Sequence, residues 1–399
     1  MTGGSRIYLD NNADTPLRPE VIEYIQSVLP FSGNPSSWHQ EGVKAFTLIE
    51  EVRKDLAFIT GARPEDVFFT SGGTEANNHV LSPFLSVDGK YMVSALLVGA
   101  TEHISVLEGH HFPLEKVKII PVDYTGTIDL SRLEVMLQQE ESPVLVSVQL
   151  ANDETGVIQP IRAIADLVHK YASVLHCDAV QAFGRMPVDI RVLDVDFLTL
   201  SAHKNGGPQG VGAVISGSSR FQLPYRLIRG GTQERGLRGG TENVAAIAGL
   251  GELIRVMEIK SAHENQEFHR FKEICEQAIR DIVPEALILG EGKPRLSNTF
   301  SFMIPGYPMK DILFRFEQAG VALSAGGACL AGTPKRSHVI EAMGISEDFG
   351  DIAISVSLGW QITESDIEHF TSVCQHVLSA FADAKKNSTL NETGDWRAV

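Results

Sequence analysis

The sequence is poor in cysteine and has no long hydrophobic run. Only four of its 399 residues are cysteine, and no two of them are spaced as the CxxC pair of a zinc or redox site. So low a count excludes a disulfide scaffold and favours a reduced, cytoplasmic setting. No stretch approaches the ~18 apolar residues that a membrane span needs, and the first residues carry no apolar signal core. We therefore expect no membrane partner and no secretion.

Positive charge is also scarce. The 34 Lys and Arg residues are outnumbered by 50 Asp and Glu residues, which gives a formal net charge of −16 at pH 7. Nucleic-acid binding needs a basic surface, so we expect no nucleic-acid partner and interpret the acidity as a source of solubility. Hydrophobic residues make up 43% of the chain, too much apolar material for a disordered protein. At ~150 residues per domain, the length predicts two or three domains.

The chain alternates short apolar runs with amphipathic helical stretches. The runs predict buried strands that begin at Val67, Val144, Ser173, Phe197 and Gly212. Strands separated by helices indicate an α/β fold with a mostly parallel central sheet flanked by helices. Beyond about residue 257 the pattern changes to charged helical stretches mixed with strand-like runs. We predict a large domain over 16–257, a smaller α+β domain made of 1–15 and 258–384, and a polar tail over 385–399.

Polar residues follow several of these strands, and ligands of parallel α/β sheets bind beyond the carboxyl ends of the strands. Asp178 ends one strand, where it is either a hydrogen-bonded cap or the counter-charge of a buried cation. Lys204 follows the next strand and is either a solvated surface lysine or a Schiff-base nucleophile. Gly73 and Thr74 open a helical stretch, where Thr74 either caps the helix or contributes to an anion site.

Cys329 differs from the other three cysteines in its surroundings. It lies in a segment rich in Gly and Pro, 323–334, which predicts a loop. A thiolate on such a loop can be delivered to a reacting centre, whereas Cys177, Cys275 and Cys374 fit inert core positions.

A strand-end Asp, a strand-end Lys about 26 residues later and a Gly-Thr anion site together predict pyridoxal phosphate (PLP) as the cofactor. The chemistry of PLP needs a lysine for covalent attachment, a carboxylate on the ring nitrogen and a phosphate site.

Longer motifs extend from Tyr8 to about Phe370. They are YLDNNADTP at Tyr8, GNPSS at Gly33, FTSGGTEANN at Phe69, TEH at Thr101, ANDETGVIQPI at Ala151, HCDAVQAFG at His176, LSAHKNGGPQGVG at Leu200, GGTQERGLRGGTENVAAIAG at Gly230 and SAGGAC at Ser324. In their order and spacing the chain resembles the cysteine desulfurases, the NifS-like members of the class V aminotransferase family. The resemblance implies PLP fold type I and the conversion of L-cysteine to L-alanine with a persulfide formed on Cys329.

The resemblance also implies roles for individual residues. Lys204 would attach the PLP, Asp178 would pair with its ring nitrogen, and His103 would stack on the ring and transfer protons. Asn34 would lie near the substrate carboxylate. The other implied cofactor contacts are Gly73, Thr74, Ser201 and His203 at the phosphate, Gln181 near the ring oxygen, and Thr241 at the phosphate of the neighbouring subunit of a homodimer. The persulfide sulfur would pass to an acceptor protein, often an iron–sulfur scaffold, and through that partner Cys329 is a candidate iron–sulfur ligand.

Two positions depart from the family pattern. Asp153 stands where the family has an Asn that contacts the ring oxygen, and Ser355 stands where the family has the Arg that binds the substrate's α-carboxylate. Arg336 is one candidate to replace that charge. The departures leave two alternatives open: a related PLP lyase or aminotransferase for selenocysteine or for an amine without a carboxylate, and a catalytically weakened sulfur-relay scaffold.

Overall fold

The computed structural model describes residues 6–87, 91–217, 221–223, 226–326 and 336–388. Its strands are β1 (Ile7–Tyr8), β2 (Val67–Thr70), β3 (Ser86–Val87), β4 (Tyr91–Met92), β5 (Leu96–Gly99), β6 (Val117–Ile120), β7 (Leu145–Ser147), β8 (Val174–Asp178), β9 (Phe197–Ser201), β10 (Gly212–Ser216), β11 (Phe221–Gln222), β12 (Leu287–Ile288), β13 (Thr299–Met303), β14 (Val321–Ala322), β15 (Ser324–Ala325) and β16 (Ile354–Ser357). Its helices are α1 (Pro19–Val28), α2 (Gln40–Thr60), α3 (Gly73–Val80), α4 (Ile104–Leu107), α5 (Leu130–Gln138), α6 (Ile161–Lys170), α7 (Ile190–Leu193), α8 (Val244–Ile282), α9 (Met309–Gln318), α10 (His338–Ala342) and α11 (Glu364–Ser388).

The largest sheet has the strand order β2-β10-β9-β8-β7-β5-β6. The pairings from β9 through β6 are parallel, and β10 runs antiparallel to both of its neighbours. The side chains of β5, β7, β8 and β9 are buried along their whole length, as expected of a sheet covered on both faces. The predicted mostly parallel α/β fold is confirmed.

A second, antiparallel sheet has the order β12-β13-β16-β15 and lies in a separate hydrophobic cluster. That cluster includes Phe300 and Phe302 of β13 and Phe370 of α11. The N-terminal strand β1 pairs with β14, so the first described residues join this part of the molecule. These features agree with the α+β character expected of the C-terminal region.

Helix α8 crosses residue 257, where the sequence pattern places a domain boundary. It begins after Asn243, whose side chain accepts a hydrogen bond from the amide of Ala246 at 3.2 Å. It then continues for 39 residues, because the charged stretch 258–267 contains neither Gly nor Pro and consists largely of good helix formers. Its first half packs in the cluster of the large sheet and its second half in that of the small sheet. The predicted domain limits stay a prediction.

Among the residues that the structure describes, no helix combines the length and the apolar character that a membrane crossing demands.

Candidate active site

The carboxyl ends of the parallel strands border a cavity of about 250 Å³. Nine residues predicted from the sequence line it: Gly73, Thr74, His103, Asp153, Asp178, Gln181, Ser201, His203 and Lys204. They come from five segments of the chain that meet there because parallel strands end at the same edge of the sheet.

Lys204 lies in the turn after β9. Its Nζ donates to the backbone carbonyls of Asn12 at 2.8 Å and Ala13 at 2.9 Å. Burial is the main cause that lowers the pKa of Lys204, and the nearby positive charge of Arg185 lowers it further, whereas Asp153 acts in the opposite direction. The amine is therefore neutral, and nucleophilic, at a lower pH than a surface lysine.

Asp178 is the last residue of β8 and is only 6% exposed. Its carboxylate accepts hydrogen bonds from the amide of Val180 at 2.8 Å and from the side chain of Asn77 at 2.7 Å. Burial raises the pKa of Asp178, while these hydrogen bonds and the proximity of His103 lower it. A buried carboxylate facing a cavity is suited to a cationic group there, such as a protonated ring nitrogen.

Another part of the cavity lining has the features of a phosphate site. Helix α3 begins at Gly73, where an added Cβ would lie 2.6 Å from a methyl group of Val180, so only glycine fits. Ser201 is 2% exposed, and within the described residues its Oγ has no hydrogen-bond partner. An unpartnered buried hydroxyl beside a helix N-terminus fits an anion. The donor set therefore fits the phosphate of PLP.

His203 and His103 both line this cavity. Nδ1 of His203 lies 2.8 Å from Oδ1 of Asp14, and burial is the main cause that lowers the pKa of His203. His103 caps α4, and its Nδ1 accepts a hydrogen bond from the amide of Ser105 at 3.1 Å. Its ring is exposed toward the cavity that it lines.

Gln181 and Arg185 connect the cavity to the N-terminal segment. Gln181 donates through Nε2 to the carbonyl of Asn12 at 3.1 Å, and its Oε1 accepts from Nη1 of Arg185. The buried guanidinium of Arg185 also donates to Oδ1 of Asn12 at 2.7 Å and to the carbonyl of Lys204 at 2.7 Å. Burial without a carboxylate among its hydrogen-bond partners lowers the pKa of Arg185 to about 9.

Three predicted residues lie away from this cavity. The side chain of Asn34 accepts a hydrogen bond from the amide of Ser36 at 2.9 Å in an exposed turn. Thr241 is exposed just before α8. Ser355 is buried in β16, where its Oγ lies 2.7 Å from Oγ of Ser301.

Two further positions bear on the expected sulfur chemistry. Cys329 lies outside the described residues. Arg336, the candidate replacement for the family arginine, donates to the backbone carbonyls of Gly350 at 2.9 Å and of Ile345. Its guanidinium therefore stabilises the turn 345–350. In the described part of the chain, no cluster of His, Cys, Asp and Glu has the arrangement of a metal site.

Among the polar residues around the site that sequence reasoning missed are Asn12, Asn77, Glu102 and Arg185. Glu102 is 1% exposed, and its Oε1 accepts from the amide of Gln149 at 2.7 Å. Burial raises the pKa of Glu102 well above its ordinary value. Asn12, Asn77 and Glu102 lie within the family motifs YLDNNADTP, FTSGGTEANN and TEH. Their positions in these motifs could have identified them as candidate site residues.

Comparison with known proteins agrees with this site. A family model described as Aminotransferase class-V matches residues 7–370. The chain belongs to this family, whose members are PLP-dependent enzymes. The family resemblance and the PLP cofactor inferred from the sequence are thereby confirmed.

Relatives within the family narrow the class. The cysteine desulfurase IscS of Dictyoglomus turgidum is 36% identical over 383 residues, which cover 93% of this chain and 94% of the relative. A cysteine desulfurase of Cereibacter sphaeroides is 36% identical over 378 residues, which cover 92% of this chain and 94% of the relative. The solved structure of a NifS-like protein from Rickettsia africae is 35% identical, has a TM-score of 0.84, and is matched over 93% of this chain and 99% of its own.

Proposed function

We propose that the protein is a PLP-dependent cysteine desulfurase that converts L-cysteine to L-alanine and passes the sulfur to an acceptor protein. One observation carries this proposal: Asp178 at the end of β8 and Lys204 just after the adjacent parallel strand β9 line one cavity with the hydroxyl of Ser201, which has no hydrogen-bond partner among the described residues. Relatives named cysteine desulfurase, which are similar over more than nine tenths of the chain, support the same reaction.

The residues of the chain have separate tasks in this proposal. PLP, when bound, supplies an electron sink for the bonds at the substrate's Cα. Lys204 would hold the cofactor covalently through Nζ, and Asp178 would pair with its ring nitrogen. His103 would stack on the ring and transfer protons. Gly73, Thr74, Ser201 and His203 would hold the phosphate, while Gln181 and Asp153 would contact the ring oxygen.

Cys329 performs the sulfur step by resemblance to the family. Its thiolate attacks Sγ of the substrate, so that the new S–S bond forms as the bond between Cβ and Sγ breaks. The electron pair of the broken bond would stay on Cβ, which would take up a proton, so that the product is alanine. The sulfur remains on Cys329 as a persulfide, and an acceptor thiol, such as that of an iron–sulfur scaffold protein, then removes it.

A homodimer completes the site in this proposal. Thr241 is exposed and does not line the cavity of its own chain. The phosphate contact that the family resemblance implies for it would therefore be made in the partner subunit. Large apolar side chains are exposed on and before α2, among them Phe31, Phe46 and Trp38, the last 97% exposed. Such a surface is suited to a second copy of the chain. Solution scattering should show a dimer, and a stable monomer that binds PLP normally would contradict this part.

The reaction itself has a direct test. Purified protein loaded with PLP is incubated with L-cysteine and a thiol reductant, and alanine and sulfide are both measured. We expect equal amounts of the two products. Reduction with borohydride followed by peptide mass spectrometry should place PLP on Lys204. Absence of alanine would refute the desulfurase.

A second candidate is a related PLP enzyme for selenocysteine or for an amine without a carboxylate. Ser355, at the position of the family arginine, forms a hydroxyl pair with Ser301, and among the described residues Lys204 is the one Lys or Arg that lines the cavity. Parallel assays with cysteine, selenocysteine and cysteamine separate the two candidates, because a desulfurase that needs the carboxylate will not turn over cysteamine.

A further inference from the structure

A buried hydrogen-bond chain reaches the cavity through Asn77, a 1% exposed residue of α3. Its Nδ2 donates to Oδ2 of Asp178 at 2.7 Å and to Oγ of Ser105 at 2.9 Å. Its Oδ1 accepts from the hydroxyl of Thr199 at 2.6 Å. The side-chain amide of Asn77 thus contacts both Asp178, which we propose to pair with the ring nitrogen of PLP, and Ser105, whose hydroxyl lies next to His103.

The direction of these hydrogen bonds follows from a group that can act in one way only. An ionised Asp178 can only accept, so the atom of Asn77 that faces it is the amide nitrogen, and Oδ1 faces Thr199. The second hydrogen of that nitrogen goes to Ser105 Oγ. Because this oxygen already accepts, its own hydrogen is available for Nδ1 of His103, which lies 2.8 Å away.

Nδ1 of His103 also faces a second hydrogen-bond donor. The backbone amide of Ser105 lies 3.1 Å from Nδ1 of His103 and can only donate. Both donors therefore favour Nδ1 as an acceptor, so the neutral ring carries its proton mainly on Nε2. Within the described residues, Nε2 has no protein hydrogen-bond partner, so it is the ring nitrogen that remains for proton exchange.

We propose that Asn77 is a positioning residue that connects Asp178 to His103 through the hydroxyl of Ser105 and holds the neutral His103 ring in the tautomer with its proton on Nε2. The inference rests on the proposed function, in which Asp178 pairs with the ring nitrogen of PLP and His103 transfers protons. Loss of charge at Asp178 would free Asn77 to turn its amide, and the Ser105 hydroxyl would follow. The two functional groups are thus coupled with no change in the backbone.

The ¹⁵N NMR spectrum of the histidine rings in the full-length, PLP-loaded protein tests this arrangement. The signal of His103, one of 13 histidines, is identified by its loss in the His103→Gln variant. At pH 9 the parent should show a protonated Nε2 and an unprotonated Nδ1. A proton on Nδ1 of the parent would overturn the proposal.

The Asn77→Ala variant tests the part played by the amide. It frees the Ser105 hydroxyl to rotate and to accept from Nδ1, so the ratio of the two tautomers should fall about five- to tenfold, the effect of one hydrogen bond. Asn78→Ala is the matched control, because within the described residues Asn78 donates to the backbone carbonyls of Thr74 and Ser105 and to no side chain. Equal tautomer ratios in these two variants would overturn the proposal.

Two further measurements keep the test decisive. If Asn77→Ala does not fold, Thr199→Val removes the donor to Oδ1 of Asn77 with little change of shape, and a smaller shift in the same direction is expected, whereas no shift would contradict the proposal. The alanine and sulfide assay is scored separately. If the parent protein forms no alanine and no sulfide, the proposed desulfurase activity is refuted. The tautomer of His103 would still decide the role of Asn77.

Discussion

The Nδ1 atom of His203 lies 2.8 Å from Oδ1 of Asp14, and Oδ2 of the same carboxylate accepts a hydrogen bond from Gln209 at 2.7 Å. The carboxylate of Asp14 therefore orients the imidazole that we propose to hold the PLP phosphate. Burial and the charge of Lys204 lower the pKa of His203, whereas Asp14 raises it.

The Asp14→Asn variant should lower the pKa of His203 further, because an opposite charge within hydrogen-bond distance is lost. An NMR titration of the His203 ring measures the change. Gln209→Ala is the control, since it removes a neighbour of the carboxylate and keeps the charge. Equal titrations of the parent and the Asp14→Asn variant would show that the contact does not affect His203.

The Lys204→Ala variant should abolish covalent attachment of PLP and turnover of cysteine, because alanine offers no amine. Borohydride treatment, mass spectrometry and the alanine assay check both effects. Lys54→Ala, which changes an exposed lysine of α2, should behave as the parent does. Full turnover by the Lys204→Ala variant would exclude the assigned role.

The Cys329→Ser variant should retain PLP and lose persulfide formation, since a serine hydroxyl is a far weaker nucleophile toward sulfur than a thiolate. Mass spectrometry after addition of cysteine should find an extra sulfur on Cys329 in the parent alone. The other three cysteines are buried, and burial raises the pKa of Cys275 to about 12 and those of Cys177 and Cys374 well above the ordinary value. A persulfide on any of these three would contradict the assignment.

The Ser355→Arg variant should lower KM for cysteine by roughly ten- to a hundredfold, because two charge-assisted hydrogen bonds to a carboxylate stabilise the bound substrate. The turnover number should change little, since such binding is equal in the ground and transition states. Ser355→Ala controls for loss of the hydroxyl pair with Ser301. Asp153→Asn should give a further gain by removing a negative charge near the position that we propose for the ring oxygen. An unchanged or higher KM in the Ser355→Arg variant would show that another group binds the carboxylate.

The Glu102→Gln variant should become more stable than the parent as the pH rises. Burial raises the pKa of Glu102 above its value in the unfolded chain, so the folded state favours the protonated carboxyl. Its contribution is fully present below the unfolded pKa of ~4.3 and is lost as the pH rises toward the folded pKa, by up to about 1.4 kcal/mol per pH unit.

Denaturant unfolding of the PLP-saturated protein at pH 5 and pH 8 checks this linkage. The free energies of unfolding of the parent and the Glu102→Gln variant should be closer at pH 5 than at pH 8. Glu102 lies just before the short helix α4, and Glu108 lies at an exposed position just after it. The Glu108→Gln variant should show no such pH dependence. A difference between parent and Glu102→Gln that is constant with pH would mean that Glu102 is ionised in the folded protein.

Much of the candidate site was determined by the sequence alone. Asp178 and Lys204 each follow an apolar run, and the rule that parallel strands end at one edge of the sheet is enough to bring them together. Gly73 and Thr74 were predicted in the same way, from a turn that leads into a helix. The family motifs added His103, Gln181, Ser201 and His203, all of which line the cavity.

Tertiary structure alone decided the hydrogen bonds that orient those groups. Asn12 contacts Lys204 and Arg185 across more than 170 residues of chain, and Asn77 reaches Asp178 from 101 residues away. The side chain of Ser355 pairs with Ser301 on the neighbouring strand β13, which no local pattern indicates. Strand and helix patterns depend on neighbouring residues and can be read along the chain. The partner and direction of a buried hydrogen bond depend on which distant segments pack together, and so does the pKa of each group in the site.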